Sequence, residues 1–231
     1  IWDVLTKEFT KSPMNRSTAV GGFLSGLRKT NLELSHKMLD DALRSSNLQA
    51  RFPELQSSVE LDERDAVRLT KSMSVTSIPV EQFRRLAYGK VTDAVSAAPL
   101  GNLVKSIADK SGGVDVAIDV LGMRIFSDGQ EKKKEVYPEL IDAGRHTLAK
   151  VKFDREDGNL SDGNYLINGV VQYCLAGEGG VDITRKLARA FFTALSSHRV
   201  SIYKYSHILE AMVVVQPEAV LDEAFKEDSR A

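Results

Sequence analysis

Apolar residues recur along this chain at spacings of three and four, and short polar or glycine-containing breaks interrupt them every 12 to 20 residues or so, roughly the length of one helix. The pattern predicts helix after helix, over 2–11, 16–29, 31–46, 51–58, 62–74, 79–96, 99–110, 114–127, 132–151, 163–176, 181–197, 201–215 and 218–227. Helix 79–96 is expected to place Pro79 in its first turn, where a missing N–H costs nothing, with Ser77 positioned to cap it. Its Val80, Phe83, Leu86, Val91 and Ala94 share one face, while Glu81, Arg84, Arg85 and Lys90 fall elsewhere, as in a half-buried helix. Strand signals are nearly absent. The best is Met212-Val213-Val214-Val215, which ends a helix-periodic stretch with Ile202, Tyr205 and Leu209 and is read as helix. Links are short, as between antiparallel neighbours, except for the polar loop Asp-Arg-Glu-Asp-Gly-Asn-Leu-Ser-Asp-Gly over 154–163.

Two echoes suggest that the helices are stacked. Gly112-Gly113-Val114-Asp115 recurs as Gly179-Gly180-Val181-Asp182, followed by matched apolar positions: Val116 with Ile183, Val120 with Leu187, Ile125 with Phe192. Pro53-Glu54, Pro138-Glu139 and Pro217-Glu218 restart helices at separations near twice a unit of roughly 33 to 43 residues, the length of a helix pair. The expected fold is all-α, a HEAT-like α-solenoid of about six antiparallel helix pairs; a single irregular helical domain is the alternative. One helical-repeat domain is expected over 1–231, with a candidate sub-boundary near 75–78. Trp2, Val4, Leu5 and Phe9 at one end, and Ala219, Val220, Leu221 and Phe225 at the other, are expected to be exposed unless something further covers them.

Composition narrows the function. The 231 residues carry 31 basic and 32 acidic side chains, so there is no overall attraction for nucleic acid or an anionic membrane, and binding of either needs a local patch. The single Cys174 rules out an internal disulfide framework and fits a reducing compartment, so a cytoplasmic location is expected. No apolar run is long enough to span a bilayer. The first residue is Ile1 rather than Met, which suggests a piece of a longer chain.

Motifs for chemistry are sparse. Gly177-Glu178-Gly179-Gly180 leads into a helix, but no strand precedes it and Glu178 would meet a bound phosphate, so it reads as a helix–helix turn. Gly21-Gly22-Phe23-Leu24-Ser25-Gly26 has the wrong spacing for a nucleophile elbow and reads as small residues for close helix packing. His36, His146, His198 and His207 form no His-x-x-x-His pair; surface or helix-terminal roles are expected, and no metal. Cys174 sits beside Val170, Val171 and Leu175 as a buried, inert thiol. The acidic loop lacks the ligand order of a calcium site, and Lys132-Lys133-Lys134 is offset by Glu131 and Glu135. Arg185, Lys186, Arg189 and His198 form a modest basic edge, read either as a solvent face or as a contact for an acidic partner.

From Val91-Thr92-Asp93-Ala94-Val95-Ser96-Ala97-Ala98-Pro99-Leu100 onward the chain resembles helical-repeat regions of very large bacterial proteins. The resemblance runs over about 77–225, through Val116-Ala117-Ile118-Asp119-Val120-Leu121-Gly122-Met123-Arg124, Pro138-Glu139-Leu140-Ile141-Asp142-Ala143-Gly144-Arg145, Tyr173-Cys174-Leu175-Ala176-Gly177-Glu178 and Val215-Gln216-Pro217-Glu218-Ala219-Val220-Leu221-Asp222. These regions belong to multidomain ATPase-type proteins, including STAND-like proteins of anti-phage defence. The resemblance implies a repeat scaffold that senses or binds a partner, and it carries no active-site residue.

The expectation is therefore a noncatalytic protein-binding, scaffolding or sensor segment, with no cofactor and no metal. Its partner would be another protein or other domains of the same chain, with neither membrane nor nucleic acid. One competing reading is a helical enzyme that assembles loop carboxylates with His146 or His207. The other is a nucleic-acid binder using Arg84, Arg85, Lys186 and Arg189.

Overall fold

The structure, a computed structural model, describes residues 1–11, 18–75, 78–132, 137–153 and 165–226. Ser77, the side chains of Lys132-Lys133-Lys134 and the loop 154–163 lie outside the described residues. Among the described residues the regular structure is all helical, with no strand. The helices are α1 (Trp2–Lys11), α2 (Thr18–Thr30), α3 (Leu32–Arg44), α4 (Phe52–Gln56), α5 (Glu63–Ser72), α6 (Ala97–Ala108), α7 (Gly113–Lys132), α8 (Pro138–Leu148), α9 (Tyr165–Cys174), α10 (Val181–Ser196), α11 (Ser206–Val215) and α12 (Pro217–Ala224). An eight-residue 3₁₀ helix, Val80–Ala87, stands between α5 and α6.

Local chemistry sets several of these boundaries. Asn31 accepts from the Leu34 N–H to cap α3. Asp62 and Asp65 form a reciprocal box at the start of α5, each carboxylate accepting from the other's backbone N–H. Pro138 and Pro217 occupy the first turns of α8 and α12. Helix 132–151 is therefore corrected to begin at Pro138. Its ring disfavours a helical residue before it, and Tyr137 is extended at ψ 141°.

The expected helix 79–96 is the larger correction. Pro79 is extended, at φ −64° and ψ 134°, and caps a 3₁₀ helix from outside. Side chains three apart eclipse in a 3₁₀ helix, so Phe83 and Leu86 still share a stripe and both are buried. The helix then stops because Gly89 and Lys90 take left-handed backbone, at φ 69° and 59°. In the turn that follows, Val95 is buried and Ala94 is exposed.

The order of packing is simple. When the short 3₁₀ turns outside Val80–Ala87 are left aside, every substantial contact joins helices that are adjacent or next but one in sequence. One series runs α3 to α5, α5 to α6, α6 to α8, α8 to α10 and α10 to α12. The other runs α4 to Val80–Ala87, then to α7, α9 and α11. The α5–α6 contact spans the candidate sub-boundary near 75–78, of which residues 76 and 77 are not described. A single hydrophobic core extends from Phe9 to Val220.

Close approaches need glycine. A Cβ on Gly144 of α8 would lie 2.2 Å from Cys174 Sγ on α9, and one on Gly122 of α7 would lie 2.7 Å from Leu166 Cβ. In contrast, Gly22 and Gly26 face open space, so of the early glycines only Gly21, against Ser58, meets the expectation of close packing.

The Gly-Gly-Val-Asp echo is turn chemistry. The second glycines, Gly113 and Gly180, sit against the carbonyls of Ile107 and Leu175 where any Cβ would clash, whereas the first differ: Gly112 is left-handed at φ 71°, and the left-handed residue of the other turn is Gly177, at φ 72°, two places before Gly179. The helices that follow, α7 and α10, belong to different packing series.

At the ends, Phe9, Ala219 and Val220 are buried within the chain, contrary to expectation. Val4, Leu221 and Phe225 are exposed.

Candidate functional site: a basic groove beside α10

Three polar constellations stand out, and the first is buried. Asp62 and Asp65, placed by the α5 cap, meet Arg28 from α2 and His36 from α3. Arg28 binds Asp62 at 2.8 Å and Asp65 at 2.5 Å. Arg68, one turn along α5, donates to the other Asp65 oxygen at 2.5 Å, to Gln56 at 2.9 Å and to Asp40 at 2.6 Å. His36 Nε2 lies 3.1 Å from Asp62, and its Nδ1 lies 3.3 Å from an Arg68 nitrogen, an arrangement that fits the Nε2–H tautomer. Burial pushes the Asp62 carboxyl up, but the Asp65 backbone N–H and the charge of Arg28 outweigh it and hold it below the usual range. Asp40 is likewise lowered; Arg68 and Arg64 overcome its burial.

His36, Asp62 and Asp65 bring three ligand-type atoms within 4.8 Å of one another. A cation does not fit there, because the same carboxylates already bind Arg28 and Arg68 and a metal would face two guanidiniums. The buried polar atoms left without partners around the cluster include Arg28 Nη1 and Gln56 Nε2, which are donors. The cluster is an ion network that ties α2, α3 and α5 together. His36, expected at the surface or at a helix end, is buried in mid-helix and serves in it.

The second constellation is His146 on α8. It meets Asp109 at the end of α6 at 2.8 Å, and Lys150 meets the same oxygen at 3.0 Å. Hydrogen bonds from Lys150 and His146 hold the Asp109 carboxyl below its ordinary range. Among the described residues Asp109 is the hydrogen-bond partner of His146, and no nucleophile joins the pair. His207 lies exposed on α11, away from this pair in sequence. The loop carboxylates of the enzyme reading lie outside the described residues.

The third constellation contains the predicted basic edge. Arg185 pairs with Asp222 at 3.2 Å, and Arg189 grips Glu223 on α12. His198 follows α10 in left-handed backbone at φ 55°. Lys186 is exposed and has no carboxylate partner among the described residues.

Beside this edge runs a groove of about 410 Å³. Lys152, Lys186, Arg189 and Arg199 stand around it, Val151, Phe153 and Ala190 form its apolar floor, and among the described residues no carboxylate lines it. The floor is rigid: Phe153 packs edge-on against Phe191 at 5.3 Å and Tyr205 at 5.2 Å. Sequence reasoning found the α10 cations but missed Lys152 and Arg199, because they reach the groove from the ends of α8 and α10. A second hollow of about 390 Å³, lined in part by Lys110, Lys150 and Asp109, shares Val151 and Lys152 with the first.

Of the cations of the nucleic-acid reading, Arg84, Arg85 and Arg189 face carboxylates, and among the described residues Lys186 does not. Arg84 pairs with Glu81 and Asp119, and Arg85 lies 3.7 Å from Glu54. Cys174 is fully buried, and burial pushes its thiol up to about 12 although Arg145 pulls the other way. No described helix is long and apolar enough to cross a membrane. Comparison of the chain with protein-family models, with curated proteins and with solved structures finds no match.

Proposed function

We propose that this chain is a noncatalytic scaffold, a HEAT-like stack of helix pairs that holds a protein partner, or other domains of its own chain, along its surface. The observation that carries this reading is the order of packing: among the described residues the substantial helix contacts join neighbours and next-but-one neighbours, in two series. That is how an array buries a continuous core while keeping a long accessible face. In this reading α3 with α4, α6 with α7, α8 with α9, and α10 with α11 are the helix pairs, each in contact, and α5 with Val80–Ala87 is a fifth by its place in the chain.

Ion pairs between next-but-one helices of one series support a common spacing. Lys105 with Asp142, Asp109 with His146, and Arg185 with Asp222 are each 37 residues apart, and Arg189 with Glu223 is 34 apart. One series also presents large apolar side chains to solvent, Phe126 on α7, Tyr173 on α9 and Val214 on α11, and the two aromatics are of a kind enriched in protein contacts.

The test has two arms. Small-angle scattering of the chain should give an elongated particle, and a sphere-like profile would remove the stack. Photo-crosslinkers placed at Phe126, Tyr173 and Lys186 in the intact protein in cells should each trap a discrete polypeptide or another domain of the same chain. Trapping at none of the three positions would remove the scaffold.

A further inference from the structure

We propose that the groove between the end of α8 and α10 docks an acidic, extended peptide segment of a partner protein, with Lys152 and Lys186 as its main charge contacts. The proposal rests on the scaffold reading and gives it a site and a ligand chemistry. It starts from an imbalance: the whole chain carries one net negative charge, yet among the described residues the lining of this groove holds Lys152, Lys186 and Arg189 and no carboxylate. Of these, Arg189 is matched by Glu223. Lys152 and Lys186 are exposed and have no carboxylate partner among the described residues. Unmatched like charges around a shared hollow repel one another, and an anionic occupant relieves that cost while losing little hydration at so open a site.

The floor selects among anions. Val151, Phe153 and Ala190 offer an apolar strip between the cations, held in place by the Phe153, Phe191 and Tyr205 ring contacts. A free phosphate has nothing to place on that strip, whereas a peptide with an apolar side chain among carboxylates fits both features. The borders select further. Asp109 and Asp115 line the adjoining hollow on one side, and Asp222 and Glu223 stand on α12 on the other. A polynucleotide backbone continuing past the groove would meet these carboxylates, and nucleic-acid binding depends on an uninterrupted run of phosphate contacts. A short peptide ends before it reaches them.

The experiment measures anisotropy of a fluorescein-labelled peptide carrying leucine among glutamates and aspartates, titrated with the intact chain at low salt. Its all-amide counterpart, a single-stranded oligonucleotide and inorganic phosphate serve as competitors. The doubly reversed chain K152E/K186E should bind about tenfold or more weakly, as charge reversal at an interface rim requires, with unchanged circular dichroism and thermal midpoint. The reversal is repeated in a chain whose neighbouring acids are amides, D154N/E156Q/D157N/D162N, so that carboxylates next in sequence to Phe153 cannot mask the result. Loss of binding in both backgrounds supports the proposal. It is overturned by retained binding in either background, by equal binding of the all-amide peptide, or by stronger competition from oligonucleotide or phosphate. Absence of any peptide binding also overturns it, while an elongated scattering profile and crosslinks at Phe126 and Tyr173 would still uphold the scaffold.

Discussion

Arg189 holds Glu223 with both arms of its guanidinium, Nε at 2.8 Å and Nη2 at 2.7 Å, and so fastens α12 to α10. The fork matches the carboxylate plane, a geometry that lysine lacks. That hydrogen bonding, with Lys226 adding a second donor, lowers the Glu223 carboxyl from 4.5 to about 2. A depressed folded-state value means that the stabilisation is fully present above the unfolded value near 4.5 and is lost as pH falls through about 2. The protection factors for hydrogen exchange of 217–224, taken against the intrinsic rate at each pH, should therefore fall across that window in the wild type. Glu223→Gln should exchange quickly at neutral pH already, with a flatter acid dependence. A wild-type profile that does not change between those values would refute the assignment.

The buried network should be costly to break. Replacing Asp65 with alanine leaves Arg28 and Arg68 without their shared partner in a dry site. Urea unfolding should show a loss of about 3–5 kcal/mol, the range for removing one member of a buried pair. A loss under about 1 kcal/mol would mean that water reaches these guanidiniums and screens them.

The contact between α8 and α9 can be tested by size alone. Gly144→Ala would place a methyl group 2.2 Å from Cys174 Sγ. Overpacking of this kind costs about 1–3 kcal/mol. Cys174→Ala in the same chain should restore a large part of that stability. If the two substitutions prove additive in thermal unfolding, the packing described here is wrong.

Cys174 should also report on opening of the core. With its thiol raised to about 12 and no exposed surface, it should react with a thiol reagent at pH 8 only as fast as the surrounding helices open. Adding urea below the unfolding midpoint should accelerate the reaction. A rate near that of a free thiol in the absence of denaturant would contradict the burial.

The all-helical class was legible because periodicity of three and four survives along nearly the whole chain, and even Met212-Val213-Val214-Val215 obeys it within α11. The failure at 79–96 has an identifiable cause. A 3₁₀ stripe at spacing three looks like part of an α-helical face, and the left-handed Lys90 gives no signal in its residue type. The Gly-Gly-Val-Asp echo marks a shared constraint on the second glycine, Gly113 and Gly180, ahead of helices that sit in different packing series. For the buried network, the Asp62 and Asp65 cap is readable locally, whereas Arg28 and His36 come from other helices and nothing in their own neighbourhoods marks them. The groove was half legible: Lys186 and Arg189 lie on one helix face, while Lys152 joins them only once α8 packs beside α10.

Because the substantial helix contacts among the described residues reach no further than the next-but-one helix, most contacts span little sequence, and domains of that kind fold quickly. During synthesis the contacts of α6 with α5, α7 and α8 can all form once α8 has emerged, without waiting for α12. Each segment can therefore be compact soon after it leaves the exit tunnel, which shortens the time its apolar stripe is open to misassociation during synthesis.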